Sequence, residues 1–298
     1  VVVVLSALSI SLILSVIFPG IFIMEIGNLA PFFNYGIAPI LVTIFFIAEA
    51  FYGWESATYL SEETKNPEKT IPKALIYGTI IVGILAILIS SVSLGMVPFQ
   101  ILIATTAPLS IVFERIYGAL GNLLNYGVFI ALIGSAAGGI ITMPRLILAL
   151  ARDKLFIAQL SEIHPVFKTP YKAIIFQTVI SLIIFGMAFG KYRTLLSLLL
   201  PLGLIMYIFI IMIVPILRHK YPNVPRSFKV PFGKIGAYLL VGFLCSLMAL
   251  WIIAEPAAWQ ILRLGLSFVA IGIPIYLLLE MYYNPDFIVG VNDALAYF

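Results

Sequence analysis

The sequence predicts an all-α polytopic membrane protein, and three observations carry that prediction. Of the 298 residues, 62% are hydrophobic and only 10% charged, where soluble domains carry about 25% charged residues; the mean hydropathy is +1.15. The apolar residues are gathered into runs close to the roughly 20 residues that a helix needs to cross a bilayer. The basic residues between the runs fall mostly on one side. Lys65, Lys69, Lys73, Arg145, Arg152, Lys154, Lys168, Lys172, Arg218, Lys220, Arg226, Lys229 and Lys234 lie in one set of loops, and only Arg115, Lys191, Arg193 and Arg263 in the other. Such a bias marks the cytoplasmic side. It puts both termini in the cytoplasm, with the loops after the second, fourth and sixth runs.

Eight runs qualify as spans: residues 1–24, 36–59, 75–97, 122–149, 173–190, 194–217, 235–254 and 261–279. They are rich in Leu and Ile and do not alternate, as the strands of a membrane barrel would. The first carries no charge. It lacks the basic start and small-residue cleavage site of a signal peptide, so it reads as a spanning helix with something upstream missing or supplied separately. Residues 98–115 are too short to span and read as a helix on the outer face. The cytoplasmic loop 152–172, with Pro165 and Pro170, should hold a short surface helix. The loop 218–234, with Pro222, Pro225 and Pro231, should be extended. The tail, 280–298, shows no pattern.

Several classes of function are excluded. The formal net charge of +4 comes from loop residues, so no nucleic-acid partner is expected. Cys245 is the single cysteine, which rules out an intrachain disulfide. There is no H-E-x-x-H, no Cys/His cluster and no P-loop, so neither a metal nor another cofactor is expected and the chain does not read as an enzyme. His164 and His219 fall in loops and read as surface histidines.

The second run is the unusual one. It carries Glu49 and Glu55 within apolar surroundings, and Gly53 between them is the only glycine between Gly36 and Gly78. Ionisable groups at membrane depth face a cavity, a partner or a substrate path. Unwound backbone is tolerated there only where it lines a cavity or is buried in protein. The run leaves the membrane in a charged cluster, Glu62, Glu63, Lys65, Glu68 and Lys69. Asn66-Pro67 then reads as a helix cap followed by proline at the first helical position, opening a short cytoplasmic helix or turn. In the fourth run Gly134, Ser135, Ala136, Ala137, Gly138 and Gly139 make one flank nearly flat. Gly134 and Gly138 read first as a close helix contact; for Gly139, contact and room for a ligand stand as equal alternatives.

Residues 53–72, GWESATYLSEETKNPEKTIP, resemble the sixth helix and following loop of the amino acid–polyamine–organocation (APC) permeases. Residues 145–156, RLILALARDKLF, with IHP at 163–165 and KTP at 168–170, resemble the end of that family's eighth helix and its loop. RSFKVP at 226–231 is similar to the basic loop before its eleventh helix. The resemblance implies a partial inverted-repeat transporter of the LeuT type, corresponding to the family's fifth to twelfth helices, with the first four absent. In a single membrane domain, residues 1–34 would be helix five and its loop, 35–217 the second repeat, and 218–298 the last two helices.

The same resemblance implies a substrate-binding break at Ala50–Gly53, whose backbone carbonyls would meet a substrate amino group. Phe51, Tyr52 and Trp54 would line or gate it, with Glu49, Gly138 and Gly139 as further wall. Glu55 matches a family acid linked to proton coupling; by its own chemistry it reads equally as an acid capping freed amides. Glu49 stands where the family often has an aromatic gate, which points to substrates with an extra positive charge. Lys154 replaces a usual glycine, and the proline expected after Leu155 and Phe156 is missing. The first run has Ser6, Ser9, Ser11 and Ser15 but no lysine, so the coupling ion, H⁺ or Na⁺, stays open.

The expected function is secondary transport of amino acids or related amines by alternating access in the plasma membrane. The partners would be the substrate, the bilayer, and either the missing N-terminal helices or another subunit. The alternative is a non-transporting sensor, assembly subunit or incomplete remnant of a permease.

Overall fold

A computed structural model describes residues 2–30, 37–187 and 192–284. Among them every regular element is a helix. Seven helical segments are long and apolar enough to cross a membrane. The expected fifth span appears as a 17-residue apolar helix, Tyr171–Met187, and residues 188–190 of that expected run lie outside the described residues. So do Lys191 of the loop assignment, both chain ends, and Gly36 at the start of the second run. The helices gather into two compact units, Val1–Gly36 with Lys65–Ile141, and Ile37–Thr64 with Thr142–Phe298.

In the first unit, α1 (Val2–Ile23) packs against α3 (Pro67–Met96); α2 (Ile37–Ile47) belongs to the other unit. The approach is close because Gly20 has no side chain: a Cβ there would lie 2.2 Å from Val92 Cγ1. A helix leaves its last four carbonyls without intrahelical partners. The chain after α1 satisfies one of these on α3, since Gly95 O accepts both Glu25 N–H and Asn28 Nδ2, each at 2.9 Å. Arg115 Nη1 donates to another, Met96 O, at 3.0 Å. The serines of the first span bond within their own helix, Ser9 to Leu5 O and Ser11 to Ala7 O at 2.8 Å, and Ser15 to Leu12 O at 2.7 Å. Hydroxyls spent this way cost little in an apolar setting.

Two expectations change here. The outer-face segment 98–115 is not one helix but two, α4 (Phe99–Ala104) and α5 (Pro108–Tyr117), split where Thr105 takes an extended conformation before Pro108. Asn66 and Pro67 do open a helix, but it is the full 30-residue α3, not a separate short one. α3 continues past Pro72 without a break, so the cytoplasmic turns and the span belong to one helix.

The flat flank lies on α6 (Leu123–Arg152). Gly127 and Gly134 receive α1: a Cβ would sit 2.2 Å from Leu12 Cδ1 and 3.1 Å from Leu5 Cβ. Gly138 is not the contact glycine expected. Nothing lies within 4 Å of a Cβ built there, nor at Gly139. The register that sets Gly127 on Leu12 and Gly134 on Leu5 reaches the start of α1 before it reaches Gly138.

In the second unit, α7 (Tyr171–Met187) is followed by α8 (Tyr192–Lys220), α9 (Gly233–Ala254) and α10 (Ala258–Tyr283). Phe45 of α2 stacks on Trp251 of α9, with centroids 4.9 Å apart and planes at 12°. Leu200, Leu204, Ala258 and Leu262 close the cluster around them. Between lipid-facing helices such packing, rather than the hydrophobic effect, holds the pairs. The loop 152–172 carries the short turn Ala158–Ser161, and the connection after Lys220 is irregular as far as Phe232. Large apolar side chains such as Phe22 and Phe209 stay exposed, as expected where lipid is the solvent.

Candidate substrate site at the helix break

The second run does not continue as an α-helix. α2 stops at Ile47, and Ala48–Phe51 tighten into a 3₁₀ turn. Tyr52 is extended, with φ −78° and ψ 135°, and Gly53 takes φ 95°, the left-handed region. A side chain at that φ would be strained, so glycine is required. From Trp54 to Glu63 the backbone runs as a ten-residue 3₁₀ helix, far longer than the usual three or four residues.

Several groups at the break find partners within the second unit. Glu55 Oε2 accepts Gly53 N–H at 3.0 Å and also the hydroxyl of Tyr207 on α8. Tyr52 donates its hydroxyl to Leu200 O at 2.6 Å, and its ring packs 5.3 Å from that of Tyr207. Trp54 Nε1 donates to Ala50 O at 2.9 Å, and Tyr207 Oη lies 3.3 Å from Phe51 O. Ala50 O is thus already engaged by the protein's own donor, while the single Tyr207 proton serves either Glu55 or Phe51 O. The Tyr52 ring fits against α8 because position 203 is glycine; a Cβ there would lie 2.6 Å from Tyr52 Cε2.

The expected site residues therefore divide. Glu49, Ala50, Phe51, Tyr52, Gly53, Trp54 and Glu55 come together at the break, with Phe51 half exposed and Glu49 half buried. Gly138 and Gly139 belong to the first unit. For Glu55 the geometry is that of an acid capping a freed amide. Tyr207, Gly203 and Leu200 O were not foreseen. The available signals were a tyrosine hydroxyl inside an apolar run and a glycine two residues after Pro201.

A second constellation lies at the end of the 3₁₀ segment. Arg145 on α6 donates Nε to Glu63 Oε1 at 2.6 Å and Nη2 to Oε2 at 3.0 Å, a two-bond fork. About two helical turns further on, Arg152 Nη1 donates to Glu62 Oε2 at 2.8 Å. These pairs border a cleft of about 360 Å³ that also takes in Thr58, Lys168 and Pro170. The fork ties the segment that follows the break to the end of α6. The sequence had placed these four residues only as loop charges.

Tyr207→Phe tests the cap. It removes the hydroxyl while leaving the ring, so Glu55 loses a donor in a half-buried place. Hydrogen bonds to charged groups contribute about 1.5–3 kcal/mol, so the thermal midpoint of the purified protein should fall by several degrees. A midpoint unchanged from wild type would mean that the hydroxyl does not support the break.

A family model described as "Amino acid permease" matches residues 1–273. A branched-chain amino acid permease of Bacillus subtilis is 28% identical over 262 residues, 84% of this chain and 52% of the relative. A serine/threonine exchanger of the same organism is 29% identical over 252 residues, 82% of this chain and 54% of its own. A vacuolar cationic amino acid transporter of Arabidopsis thaliana is 31% identical over 199 residues, 66% of this chain and 32% of its own. The chain spans about half the length of the Bacillus relatives. These relatives are permeases and transporters, not enzymes, and the helices and the match together make this a multi-pass membrane protein: the chain belongs to the amino acid permease family, within the APC superfamily.

Proposed function

We propose that this protein takes part in secondary transport of amino acids or related amines by alternating access in the plasma membrane, with both termini cytoplasmic. The observation that supports this reading best is the break at 48–53. A positive-φ glycine and a 3₁₀ turn bring polar backbone to membrane depth, where such backbone is tolerated only if it is buried in protein or lines a cavity. Transport requires no covalent step. The substrate's ammonium group would take backbone carbonyls at the break, in competition with Trp54 Nε1, which holds Ala50 O. Phe51, Tyr52 and Trp54 would flank it. Alternating access then amounts to one bundle rocking against another around that site.

The coupling ion is the proton in this reading, because Glu55 and Tyr207 form a pair whose donor can reverse. With Glu55 ionised, Tyr207 donates to it. With Glu55 protonated, the carboxyl donates to Tyr207, whose own proton can turn to Phe51 O, 3.3 Å away.

Glu49 refines the substrate class. It lies four residues before Gly53, within the 3₁₀ turn that opens the break. A carboxylate there favours a second positive charge, as in basic amino acids or polyamines. The named relatives include carriers of both neutral and cationic amino acids. Uptake of labelled arginine and leucine into proteoliposomes should exceed that of protein-free liposomes. Glu49→Gln should lose arginine uptake by roughly tenfold, the effect of about 1.4 kcal/mol, while leucine uptake changes little. Equal losses would assign Glu49 to structure or coupling. No uptake by wild type would favour a non-transporting role.

A further inference from the structure

We propose that the connection between α8 and α9 is a binding site for an anionic phospholipid, with the phosphate held by Arg218, Arg226 and Lys229. Both helices are long and apolar enough to span, so residues 221–232 and the two helix ends lie at a bilayer surface. They enclose a pocket of about 710 Å³ lined by those three cations together with Pro222 and Gly233, and by no carboxylate. The sequence supports a site for negative charge: no Asp or Glu occurs anywhere between Glu162 and Glu255. Among the described residues, the ion pairs of this unit join Arg145 to Glu63, Arg152 to Glu62 and Lys172 to Glu162, and none draws a cation from this loop.

The pocket is built rather than a chance gathering of charge. Arg226 is fixed by two donations to the loop's own backbone, Nη1 to Val224 O at 3.1 Å and Nη2 to Tyr221 O at 2.8 Å. A guanidinium has five N–H groups, so three remain for a ligand. Arg218 Nη1 lies where a side chain at 233 would begin, 2.9 Å from the Cβ position of Gly233, whose φ of 60° also favours glycine. Pro222, Pro225 and Pro231 hold the loop's φ angles, so little order has to be gained on binding.

A lipid fits better than a free anion because of what lies alongside. Phe232, Ile235 and Leu239 are 86%, 69% and 69% exposed. Ile235 and Leu239, four residues apart, share one apolar face of α9, and Phe232 caps the start of that helix. A phosphate with acyl chains satisfies both surfaces at once. Basic pockets between membrane helices bind anionic head groups in this way.

The test is a titration of the full chain in detergent with dioleoyl phosphatidylglycerol or dioleoyl phosphatidylcholine, with bound lipid counted by native mass spectrometry. The expected result is preferential retention of phosphatidylglycerol. The triple variant Arg218→Gln, Arg226→Gln, Lys229→Gln should weaken that lipid roughly tenfold or more, with phosphatidylcholine unchanged. Lys229→Gln alone alters an exposed side chain, keeps the fold, and should give an intermediate loss. Lys65→Gln with Lys69→Gln, elsewhere in the chain, should give none. Equal retention of the two lipids, or of phosphatidylglycerol by wild type and both loop variants, would overturn the proposal. Inorganic phosphate raising the thermal midpoint as much as phosphatidylglycerol does, through the same three residues, would replace the lipid with a soluble anion.

Discussion

Gly203→Ala should be among the most damaging single substitutions in this chain. The added methyl would lie 2.6 Å from Tyr52 Cε2 and 2.9 Å from Cζ, atoms of a rigid ring whose hydroxyl is committed to Leu200 O. The ring cannot swing aside and keep that bond. Overpacking costs about 1–3 kcal/mol, and the lost hydrogen bond adds about 1 kcal/mol. Because Tyr52 is the extended residue between the 3₁₀ turn and Gly53, displacing it also disturbs the break. The variant should melt well below wild type and show little uptake. The decisive comparison is non-additivity: in a Tyr52→Ala background the ring is gone, so Gly203→Ala should add almost nothing. If Gly203→Ala costs as much there as in wild type, the glycine matters for some reason other than room for Tyr52.

That example also shows what a single sequence can and cannot disclose. Apolar length is a local property, so the spans could be read directly, and a glycine between two carboxylates in an apolar run marks a break without any knowledge of its neighbours. The partners are another matter. Tyr52 and Leu200, or Glu55 and Tyr207, meet across some 150 residues of chain, and no periodicity links them. Tyr207 stands in a run where aromatic residues also face lipid, as Phe209 does. Only its depth opposite Glu55 sets it apart, and depth is a tertiary fact. The flat flank of α6 failed differently. Small residues permit close approach, but which of them is approached depends on where the other helix begins; Gly127 and Gly134 meet α1, and Gly138 does not. The loop charges were legible as a topology signal only. That Glu62 pairs with Arg152 and Glu63 with Arg145 is again a tertiary fact.

Reversing the charge at Arg145 should show what that second constellation does. Arg145 is the better covered partner, its side chain 21% exposed against 59% for Glu63, and it makes both bonds of the fork. Arg145→Glu would set a carboxylate against Glu63 with Glu62 next to it, replacing attraction by repulsion. Exposed pairs contribute about 0–1 kcal/mol each. The fork geometry and the change of sign together raise the expected effect to about 1–2 kcal/mol, after allowing for solvent around Glu63. The 3₁₀ segment would then lose its tie to α6 on the far side of the break from Tyr52. Uptake should fall roughly tenfold, as about 1.4 kcal/mol implies, and the loss should shrink in high salt, where the repulsion between exposed charges is screened. The exchange Arg145→Glu with Glu63→Arg restores opposite charges at the same place and should recover at least half of the lost uptake. Arg152→Glu, whose pair is a single bond between two more exposed side chains, should cost less. If the exchanged pair is as impaired as Arg145→Glu alone, Arg145 acts through a contact other than Glu63, and the tie between the broken run and α6 is not what positions it.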